Sequence, residues 1–349
     1  MATIRDVARR AGVSVATAAR ALGEYGYVSD ATRARILRAA RMLDYHPNAI
    51  ARSMIKGRTH TLAVIVSDNA NPFFASVVRG IEDVVLAEGY AIVLCNADED
   101  PDKEGMYLRT VRQKRVDGLI ISPSGGSASA LRSILAGGTP IVQIDRRLSR
   151  LAADAVLIDN RAGVRAAIEH LIRLGHRRIG IISGPRRLYT GRERLEAYRA
   201  TLQDAGLALD DELVLEGTFK EQSGYELVGR FLRLRVRPTA IFVANNLMTI
   251  GALLGLKEAG VRIPEEMAVV GFDDMDWAPI LTPPLTAVAQ PGYELGAAAG
   301  RLMLERLQTR RTGRPQTVVF QPRLVVRESC GASLPRARPA PSQRGNWGS

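Results

Sequence analysis

Residues 3–22 read Thr-Ile-Arg-Asp-Val-Ala-Arg-Arg-Ala-Gly-Val-Ser-Val-Ala-Thr-Ala-Ala-Arg-Ala-Leu. Apolar residues recur at helical spacing on both sides of Gly12, which predicts two short helices joined by a tight turn. Thr3 and Asp6 form a capping-box pattern at the start of the first helix, and Ser14 is placed to cap the second. Helix-turn-helix proteins present their second helix to the major groove of DNA in this arrangement.

The second helix has an inward and an outward side. Val13 and Ala18 are spaced to pack inward, and the N-terminal half of the helix offers an outward surface to base edges and phosphates. The outward residues are Ser14, Val15, Ala16, Thr17 and Arg20. Two amphipathic helices of an ordinary bundle would show similar spacing, so the pattern alone leaves that alternative open.

Positive charge is concentrated at the N-terminus. Residues 1–58 hold eleven Lys and Arg against four Asp and Glu. The excess of positive charge in this segment is more than half of the net charge of +12 of the 349-residue chain. Residues 59–330 are close to neutral, with 34 basic and 32 acidic side chains. A basic head on a near-neutral body indicates a head that neutralises phosphates.

A third helix and a break follow the motif. Ser29 and the apolar residues Ile36, Leu37, Ala40 and Leu43 predict a helix that closes a small core, so the DNA-binding domain is assigned to residues 1–45. His46-Pro47-Asn48 interrupts the chain, and residues 49–56 could form two helical turns. So short a helix is marginal in water, so residues 46–58 are predicted to be a hinge that folds only against a partner; a plain linker is the alternative.

The pattern changes to α/β from residue 59 to residue 330. Short apolar runs alternate with helical stretches, as expected of parallel sheets covered on both faces, and the pattern resumes after residue 160. Two doubly wound units are therefore predicted. Their strands are placed at 62–67, 91–95, 118–122, 140–145, 179–183, 240–244 and 268–272, with helices near 73–88, 192–204 and 247–259.

Polar residues follow these strands at the edge where open α/β sheets bind ligands. Asp159 and Asn160 are better explained as helix caps, but the remaining set indicates a cleft between two lobes. The set comprises Asp68, Asn69, Ser122, Ser124, Asp145, Gly184, Pro185, Asn245 and Asp273.

Several classes of protein are disfavoured. No phosphate-binding loop or nucleophile elbow is present, and four scattered histidines lack ligand spacing, so no enzyme, cofactor or metal site is expected. Cys95 and Cys330 are interpreted as packing residues. Without a signal peptide or an apolar run of about 18 residues, the chain is expected to be cytoplasmic with no membrane partner. The Pro-, Gly- and Arg-rich residues 331–349 are predicted to be disordered and contain no leucine heptads.

Six motifs in order carry a specific resemblance. The chain resembles the lactose-repressor and galactose-repressor family of bacterial transcription factors over about residues 3–329. Besides the helix-turn-helix opening, the motifs are Asn48–Ser53, Asn71–Phe74, Arg115–Gly118, Gly175–Gly180 and Val270–Asp274.

The resemblance implies a homodimer that reads a pseudo-palindromic operator in double-stranded DNA. The implied architecture is a three-helix helix-turn-helix head, a hinge helix that enters the minor groove, and a two-lobed core like periplasmic sugar-binding proteins. By position, Val15 and Ala16 would read thymine methyls or shape, leaving Arg20 as the guanine reader. The candidate DNA-contacting residues are Thr3, Ser14, Val15, Ala16, Thr17, Arg20, Asn48, Ala51 and Met54.

The resemblance also implies an effector between the lobes. Charged and amide side chains beside an aromatic wall suit a sugar or a nucleoside, with Phe219 stacking on a ring face of the ligand. We expect this ligand to be an inducer. The effector residues carried over by motif are Phe73, Phe74, Ser124, Asp145, Arg194, Phe219, Asn245 and Asp273.

Three positions depart from the family pattern. Ala18-Ala19 replaces the usual Val-Ser, Met54 replaces the wedging Leu of the hinge, and Asn245-Asn246 replaces Asn-Asp beside the cleft. The first two changes bear on DNA affinity. The third removes one charge and bears on effector identity.

The function predicted from the sequence is thus a DNA-binding regulator, a repressor whose operator affinity changes with a bound effector. A regulator that both activates and represses is an alternative. A solute-binding protein of the same core would explain residues 61–329, but it would need an export signal and no DNA-binding head. A sugar-processing enzyme would need a nucleophile or an acid–base pair that the sequence does not show.

Overall fold

The computed structural model describes residues 2–23, 25–45, 58–126, 128–309 and 313–332. Within these ranges the helices are α1 (Ile4–Ala11), α2 (Val15–Gly23), α3 (Asp30–Met42), α4 (Pro72–Ala87), α5 (Pro101–Lys114), α6 (Ala128–Ala136), α7 (Asn160–Arg173), α8 (Tyr189–Asp204), α9 (Glu221–Leu232), α10 (Asn246–Glu258) and α11 (Gly292–Thr309). The strands are β1 (Thr61–Val66), β2 (Ala91–Asn96), β3 (Gly118–Ile121), β4 (Ile141–Ile144), β5 (Asp154–Ile158), β6 (Ile179–Ser183), β7 (Val214–Glu216), β8 (Ala240–Val243), β9 (Ala268–Phe272), β10 (Thr286–Ala289), β11 (Thr317–Phe320) and β12 (Arg323–Val325). None of the helices in this part of the chain is both long and apolar enough to span a bilayer.

The N-terminal head has the predicted helix-turn-helix geometry. At the start of α1 the Thr3 backbone N–H donates to the Asp6 carboxylate at 2.9 Å, and the Asp6 N–H donates back to the Thr3 hydroxyl. Gly12 has a φ of 61°, a left-handed conformation that turns the chain between α1 and α2. The Ser14 hydroxyl then accepts the Thr17 N–H at 3.1 Å, as a cap for α2.

The core of the head differs in two details from the expected one. Ala18 and Ile36 are buried as predicted, but Leu37 is 38% exposed and Ala39 takes its place in the core. The reason is the phase of α3, which places Ile36, Ala39 and Ala40 on one stripe. Ser29 precedes α3 as expected, but its hydroxyl bonds a side chain one turn later and not a backbone N–H.

The first lobe of the core is a sheet with helices on both faces. Its strand order is β11-β5-β4-β3-β1-β2, and all neighbours are parallel. Alternate β1 residues serve opposite faces: Leu62 and Val64 join the cluster under α4 and α11, whereas Ala63 and Ile65 join that under α5 and α6. Burial on both faces explains why β1 is a continuous apolar run rather than an alternating one.

The second lobe repeats this plan. Its sheet has the order β12-β10-β9-β8-β6-β7, and only the β10–β12 pair is antiparallel. Helices α7 to α10 cover it, and residues from all four join one buried cluster with the sheet. The predicted pair of doubly wound units is therefore confirmed.

The chain passes between the lobes three times. It leaves the first sheet after β5, returns after β10 into α11, and crosses again between β11 and β12. Strands β5, β7, β10, β11 and β12 are absent from the sequence-based assignment; β7 and β12 have only three residues each, and β11 and β12 are only partly buried. These crossings bring the carboxyl ends of the parallel strands of both sheets to one cleft.

Both cysteines are buried, free and embedded in the core, as interpreted from the sequence. Burial raises the pKa of the Cys95 thiol. The Cys330 Sγ lies 3.2 Å from the His170 Nε2, at the back of the second sheet. Neither thiol lines the cleft.

Candidate functional site

The cleft between the lobes contains a small polar cavity of about 20 Å³. All of the effector residues carried over by motif line it, except Ser124. Its lining is Asp68, Asn71, Phe73, Phe74, Glu99, Asp145, Arg146, Thr190, Arg194, Phe219, Asn245, Leu247, Asp273 and Gln290.

Ser124 lies outside the cavity. Its backbone N–H donates to the Glu104 carboxylate at 2.6 Å, and its carbonyl accepts a hydrogen bond from Arg187 at 2.7 Å. The Ser124 hydroxyl is buried and has no hydrogen-bond partner among the described residues. Its position after β3 is the one expected, but the loop turns it toward α5 rather than into the cleft.

The wall from the first lobe is built around Asp145 and Arg146, which follow β4. The Arg146 guanidinium makes two hydrogen bonds to the Glu99 carboxylate, at 2.6 and 2.7 Å. The Arg146 Nε lies 3.4 Å from an oxygen of Asp145. All three groups are largely withdrawn from water, so their mutual attraction is little screened.

The wall from the second lobe centres on Arg194 of α8. Its Nε donates to the Asn160 side chain at 2.7 Å and its Nη1 to the Ala244 carbonyl at 2.6 Å. The guanidinium carbon lies 3.6 Å from the centroid of the Phe272 ring, a cation–π contact. These contacts fix the arginine in one orientation. One contact comes from α7, one from β9 and one from the residue that follows β8.

Asp273 and Asn245 complete this wall and also serve the fold. The Asp273 carboxylate accepts hydrogen bonds from the Gln290 side-chain amide and from the Asn246 backbone N–H. The Asn245 Oδ1 caps α10 by accepting the Met248 N–H at 3.0 Å, and its Nδ2 donates to the Phe219 carbonyl at 3.0 Å. Both residues therefore have fixed positions.

Burial sets the acidity of these groups. It raises the pKa of Asp145 to about 6, although Arg146 and Arg194 act to lower it. Burial likewise raises the pKa of Asp273, against the opposing effect of Arg194. The pKa of Arg194 is lowered by the same burial, while both carboxylates act to raise it. The site is thus a cluster of buried charges, each of which shifts the pKa values of its neighbours.

Three residues of the cleft have a left-handed backbone. Asp145, Phe219 and Asp273 have φ values of 65°, 65° and 76°, in the left-handed region that non-glycine residues rarely occupy. Each directly follows, or lies close behind, the carboxyl end of a strand. Strain of this kind persists where surrounding structure holds a functional side chain in place.

Three buried polar atoms of the cleft have no hydrogen-bond partner among the described residues. They are the Arg146 Nε, the Thr190 Oγ1 and the Gln290 Oε1. A buried polar atom without a partner is costly, so the Thr190 Oγ1 and the Gln290 Oε1 are suited to a polar ligand that supplies the missing bonds. The Arg146 Nε already faces the Asp145 carboxylate.

One side and the tip of the Phe219 ring are occupied by neighbouring groups. The Arg146 guanidinium covers one side of its ring, with 5.2 Å between the guanidinium carbon and the ring centroid. The backbone of Gly184 lies so close that a Cβ there would be 1.9 Å from the ring. Stacking of a ligand ring on Phe219, which stays a prediction, would have to use the face opposite Arg146.

Contacts across the cleft hold the two lobes together. Lys220 Nζ donates to the Asp68 carboxylate at 2.6 Å and also pairs with Asp98. The Asn246 Nδ2 donates to the Asn71 Oδ1 at 2.9 Å. Asn246 is one of the departures from the family pattern, and its amide can donate where an aspartate could only accept.

Some of the cleft residues that the sequence analysis missed do carry a recognisable signal in the sequence. Arg146 directly follows Asp145 and Glu99 lies just beyond β2, so both fit the rule that polar residues after strands line the cleft. Gln290 follows β10, which was not predicted as a strand. Thr190 lies in the first turn of α8, and nothing in its sequence context distinguishes it from a surface residue.

Most of the residues predicted to face DNA are exposed in the head. Ser14, Val15, Ala16 and Arg20 are exposed on or beside α2, and Val15 is 43% exposed although it is apolar. Thr17 is half-buried because its side chain and N–H both bond Ser14. The predicted hinge contacts Asn48, Ala51 and Met54 lie outside the described residues.

A larger open groove of about 1060 Å³ lies at the opposite, amino-terminal edge of the first sheet. It is lined by the starts of β3, β4 and β5 and by Arg58, Arg112, Arg115 and Arg314. It contains none of the predicted effector residues, so the cleft between the lobes remains the candidate ligand site.

Comparison with known proteins gives two matching families. Residues 3–48 match bacterial regulatory proteins of the lacI family, and residues 168–330 match a periplasmic binding protein-like domain. The HTH-type transcriptional repressor PurR of Photobacterium profundum is 35% identical over 331 residues, which are 94% of this chain and 98% of the relative.

Solved structures agree with these matches. The complex of the transcriptional regulator CelR with cellobiose is 34% identical, covers 94% of this chain and 100% of its own, and has a TM-score of 0.69. A LacI family transcriptional regulator from Enterococcus faecium with bound ribose is 31% identical, with coverage of 77% and 98% and a TM-score of 0.69. The lac repressor dimer bound to operator and the anti-inducer ONPF is 26% identical, with coverage of 94% and 99% and a TM-score of 0.81.

Proposed function

This chain belongs to the lacI family of bacterial regulatory proteins and is a DNA-binding transcriptional repressor with an effector-binding core, and we propose that a sugar or nucleoside in its cleft controls its operator affinity. The observation that supports this most is the polar cavity of the cleft, because seven of the eight side chains carried over by motif line it. Its charged and amide groups match the hydroxyls of a polyol.

The proposed DNA contacts are those of α2. Exposed Val15 and Ala16 would contact thymine methyls, and Arg20 would donate to a guanine in the major groove. Thr3 and Ser14 lie at the N-termini of α1 and α2, where backbone N–H groups favour a phosphate. The cluster of basic residues in 1–58 would supply the salt-dependent part of the affinity.

A homodimer is the proposed partner arrangement. The edge strand β2 exposes Val93 and Leu94 by 50% and 46%, and in the second lobe Leu254 and Ile280 are 42% and 80% exposed. Exposed apolar side chains on both lobes suit burial by a second copy. The lac repressor similar to this chain was solved as a dimer on its operator, which supports a pseudo-palindromic site.

We propose that the arrangement of the two lobes couples ligand binding to operator binding. A ligand that changes how the lobes meet would change how two copies present their hinges, so ligand and operator would share one coupling free energy of about 1–3 kcal/mol. We expect the ligand to lower operator affinity, as an inducer. The structures with cellobiose and ribose support a sugar as its chemical class.

The experiment is operator binding by fluorescence anisotropy, with DNA from upstream of the gene, with and without a panel of sugars and nucleosides. Asp273→Ala and Arg194→Ala should remove the response to ligand and leave operator affinity intact, because neither residue lies in the head or hinge. Asp204→Ala, at an exposed ion pair on α8, is the matched control and should respond like wild type.

Loss of operator binding in both variants, with the fold preserved by circular dichroism, would contradict this separation of roles. Tighter operator binding in the presence of ligand would reverse the expected sign and keep the site. A wild-type protein that binds its operator but responds to no member of the panel would refute the proposed effector class.

A further inference from the structure

The open groove at the amino-terminal edge of the first sheet, called the edge groove below, carries an excess of positive charge. It has a volume of about 1060 Å³ and is formed by the starts of β3, β4 and β5 and the ends of α5, α6 and α11. The charged groups among its described lining residues are five arginines and two aspartates. An open groove with a net positive lining concentrates anions.

Both aspartates of the edge groove already have partners. The Asp117 carboxylate accepts the backbone N–H groups of Thr59 and His60 at 2.8 and 2.9 Å. The Asp154 carboxylate accepts two hydrogen bonds from the Arg306 guanidinium, at 2.6 and 2.7 Å. Asp154 and Arg306 cancel each other as charges, so four arginines share the groove with one aspartate whose oxygens are occupied.

Three of these four arginines are exposed to solvent, namely Arg112, Arg115 and Arg314. None of them forms an ion pair within the described part of the chain. Arg112 makes one long hydrogen bond, 3.5 Å to the Ser133 hydroxyl. The C-terminus of α5 beside Arg112 and Arg115 carries only about half a negative charge, so it leaves most of their charge unbalanced.

The edge groove lies on the side of the core from which the DNA-binding head emerges. Arg58 lines the groove, and its Nη2 donates to the Leu307 carbonyl at 2.9 Å. Residues 46–57 join the head to Arg58, and a chain of this length reaches at most about 40 Å. A duplex held by the head is therefore within reach of the groove, and 40 Å of duplex carries about 24 phosphates.

We propose that the edge groove is a second DNA-contacting surface, in which Arg112, Arg115 and Arg314 bind backbone phosphates of the DNA that the head holds. Guanidinium groups without acidic partners suit phosphates, which they bind with two parallel hydrogen bonds. Phosphates carry no base identity, so this surface adds affinity and not sequence preference. The proposal rests on DNA binding by the head and extends the contact from the head to the core.

The first test is the salt dependence of DNA binding by the full-length protein, measured by fluorescence anisotropy from about 50 to 200 mM salt. The variant combines Arg112→Ala, Arg115→Ala and Arg314→Ala. Its plot of log K against log salt should be less steep by about 0.9 for each lost phosphate contact, or about 2.7 for three. At the lowest salt its affinity should fall at least about tenfold, on operator and on random DNA alike.

A matched variant controls for the loss of three positive charges from the core. It combines Arg230→Ala, Arg233→Ala and Arg235→Ala, which are exposed positions of the second lobe outside the edge groove. This variant should keep the wild-type slope, and its affinity should stay within about twofold of wild type because a distant charge is screened. Thermal unfolding by circular dichroism establishes that each variant is folded.

The second test measures proximity to DNA directly. Cys95 and Cys330 are buried, so a thiol introduced by Arg314→Cys can be labelled selectively with an iron chelate that cuts nearby DNA backbone. We expect cuts in the bound operator from this position. Arg235→Cys, in the second lobe, is the control and should give none.

A folded triple variant of the edge groove that keeps the wild-type slope and affinity would overturn the proposal. Weaker binding to operator alone, without cuts from the Arg314→Cys chelate, would also overturn it and would assign the groove to the hinge segment 46–57. Heat on titration with ATP that the triple variant loses, with an unchanged slope for DNA, would assign the groove to a free phosphorylated ligand instead. A wild type that binds no DNA would refute the proposed function itself.

Discussion

Asp145 combines burial, strain and charge in one side chain. It is 4% exposed, has a φ of 65°, and has a pKa raised to about 6 from its ordinary value of 3.8. A raised pKa means that the folded state binds the proton more tightly than the unfolded state. The stability that Asp145 contributes is therefore fully present below pH 3.8 and is lost as the pH rises through about 6.

Asp145→Asn tests this assignment, because asparagine is nearly isosteric and tolerates a left-handed backbone. The variant lacks the ionisation that costs folded wild type stability above pH 6, so it should unfold at a higher temperature than wild type at pH 8. The difference should shrink as the pH falls below that pKa. Thermal unfolding on both sides of the pKa measures it, and parallel pH profiles for the two proteins would contradict the assignment.

Arg20 is the residue on which the proposed base reading depends. Arg20→Ala should weaken operator binding by about 1–3 kcal/mol and relax the preference at one base pair in each half-site. Arg38→Ala, an exposed arginine of α3, controls for the loss of one positive charge from the head. Binding to a library of operators with single base-pair changes measures the preference. An equal loss on operator and random DNA would show that Arg20 contacts only phosphate.

At the scale of elements, the contact between α4 and α11 shows how small residues set a packing distance. A Cβ on Gly296 would lie 1.9 Å from the Val77 carbonyl oxygen, and one on Gly80 would lie 2.1 Å from that of Tyr293. The nearest atoms are backbone in both cases, so they cannot rotate away as a flexible side chain could. The two helices can pack this closely only because both positions lack a side chain.

Gly296→Ala should therefore destabilise the first lobe by about 1–3 kcal/mol or more, since the added methyl group meets backbone. Gly105→Ala, on a face of α5 where the nearest atom is the tip of Arg109 at 3.7 Å, is the matched control. It should stabilise by about 0.5–1 kcal/mol through helix propensity. Urea unfolding of both variants gives the comparison, and similar small changes in the two would refute the close-packing argument.

At the scale of the whole molecule, the lobes meet through a few polar bridges. Lys220, which precedes α9 of the second lobe, bonds Asp68 and Asp98 of the first, and the Asn71–Asn246 bond also crosses the cleft. Burial acts to lower the pKa of Lys220, but hydrogen bonds to both carboxylates outweigh it and raise the pKa. The amine therefore stays charged while the lobes are closed.

Lys220→Met keeps most of the length of the side chain and removes the bridge. Because 35% of the lysine side chain is exposed, solvent screening limits the free energy that the bridge contributes to about 1 kcal/mol. We therefore expect the Kd of the effector to rise about fivefold. In the absence of ligand, small-angle scattering should show a larger radius of gyration for Lys220→Met than for wild type. Lys257→Met on α10 is the control, and an unchanged Kd in both variants would show that the bridge does not hold the lobes closed.

The sequence by itself determined the architecture of this repressor. Helix-turn-helix spacing with Thr3, Gly12 and Ser14, and continuous apolar strands followed by polar residues, are local patterns whose causes act within a few residues. Periodicity therefore placed strands β1 to β4, β6, β8 and β9, and helices such as α4, α8 and α10, within a few residues of their positions. It missed strands such as β7 and β12, whose three residues pair only because a neighbouring strand is already in place.

Only the tertiary structure decided how the cleft works. The sequence could bring Asp145, Arg194 and Asp273 to one edge of two sheets, but not show that Arg146 turns inward to bond Glu99 and cover Phe219. Nor could it show that the loop after β3 turns Ser124 away from the cavity. The orientation of a side chain depends on residues distant along the chain, because charge pairing and packing act through space and not along the sequence.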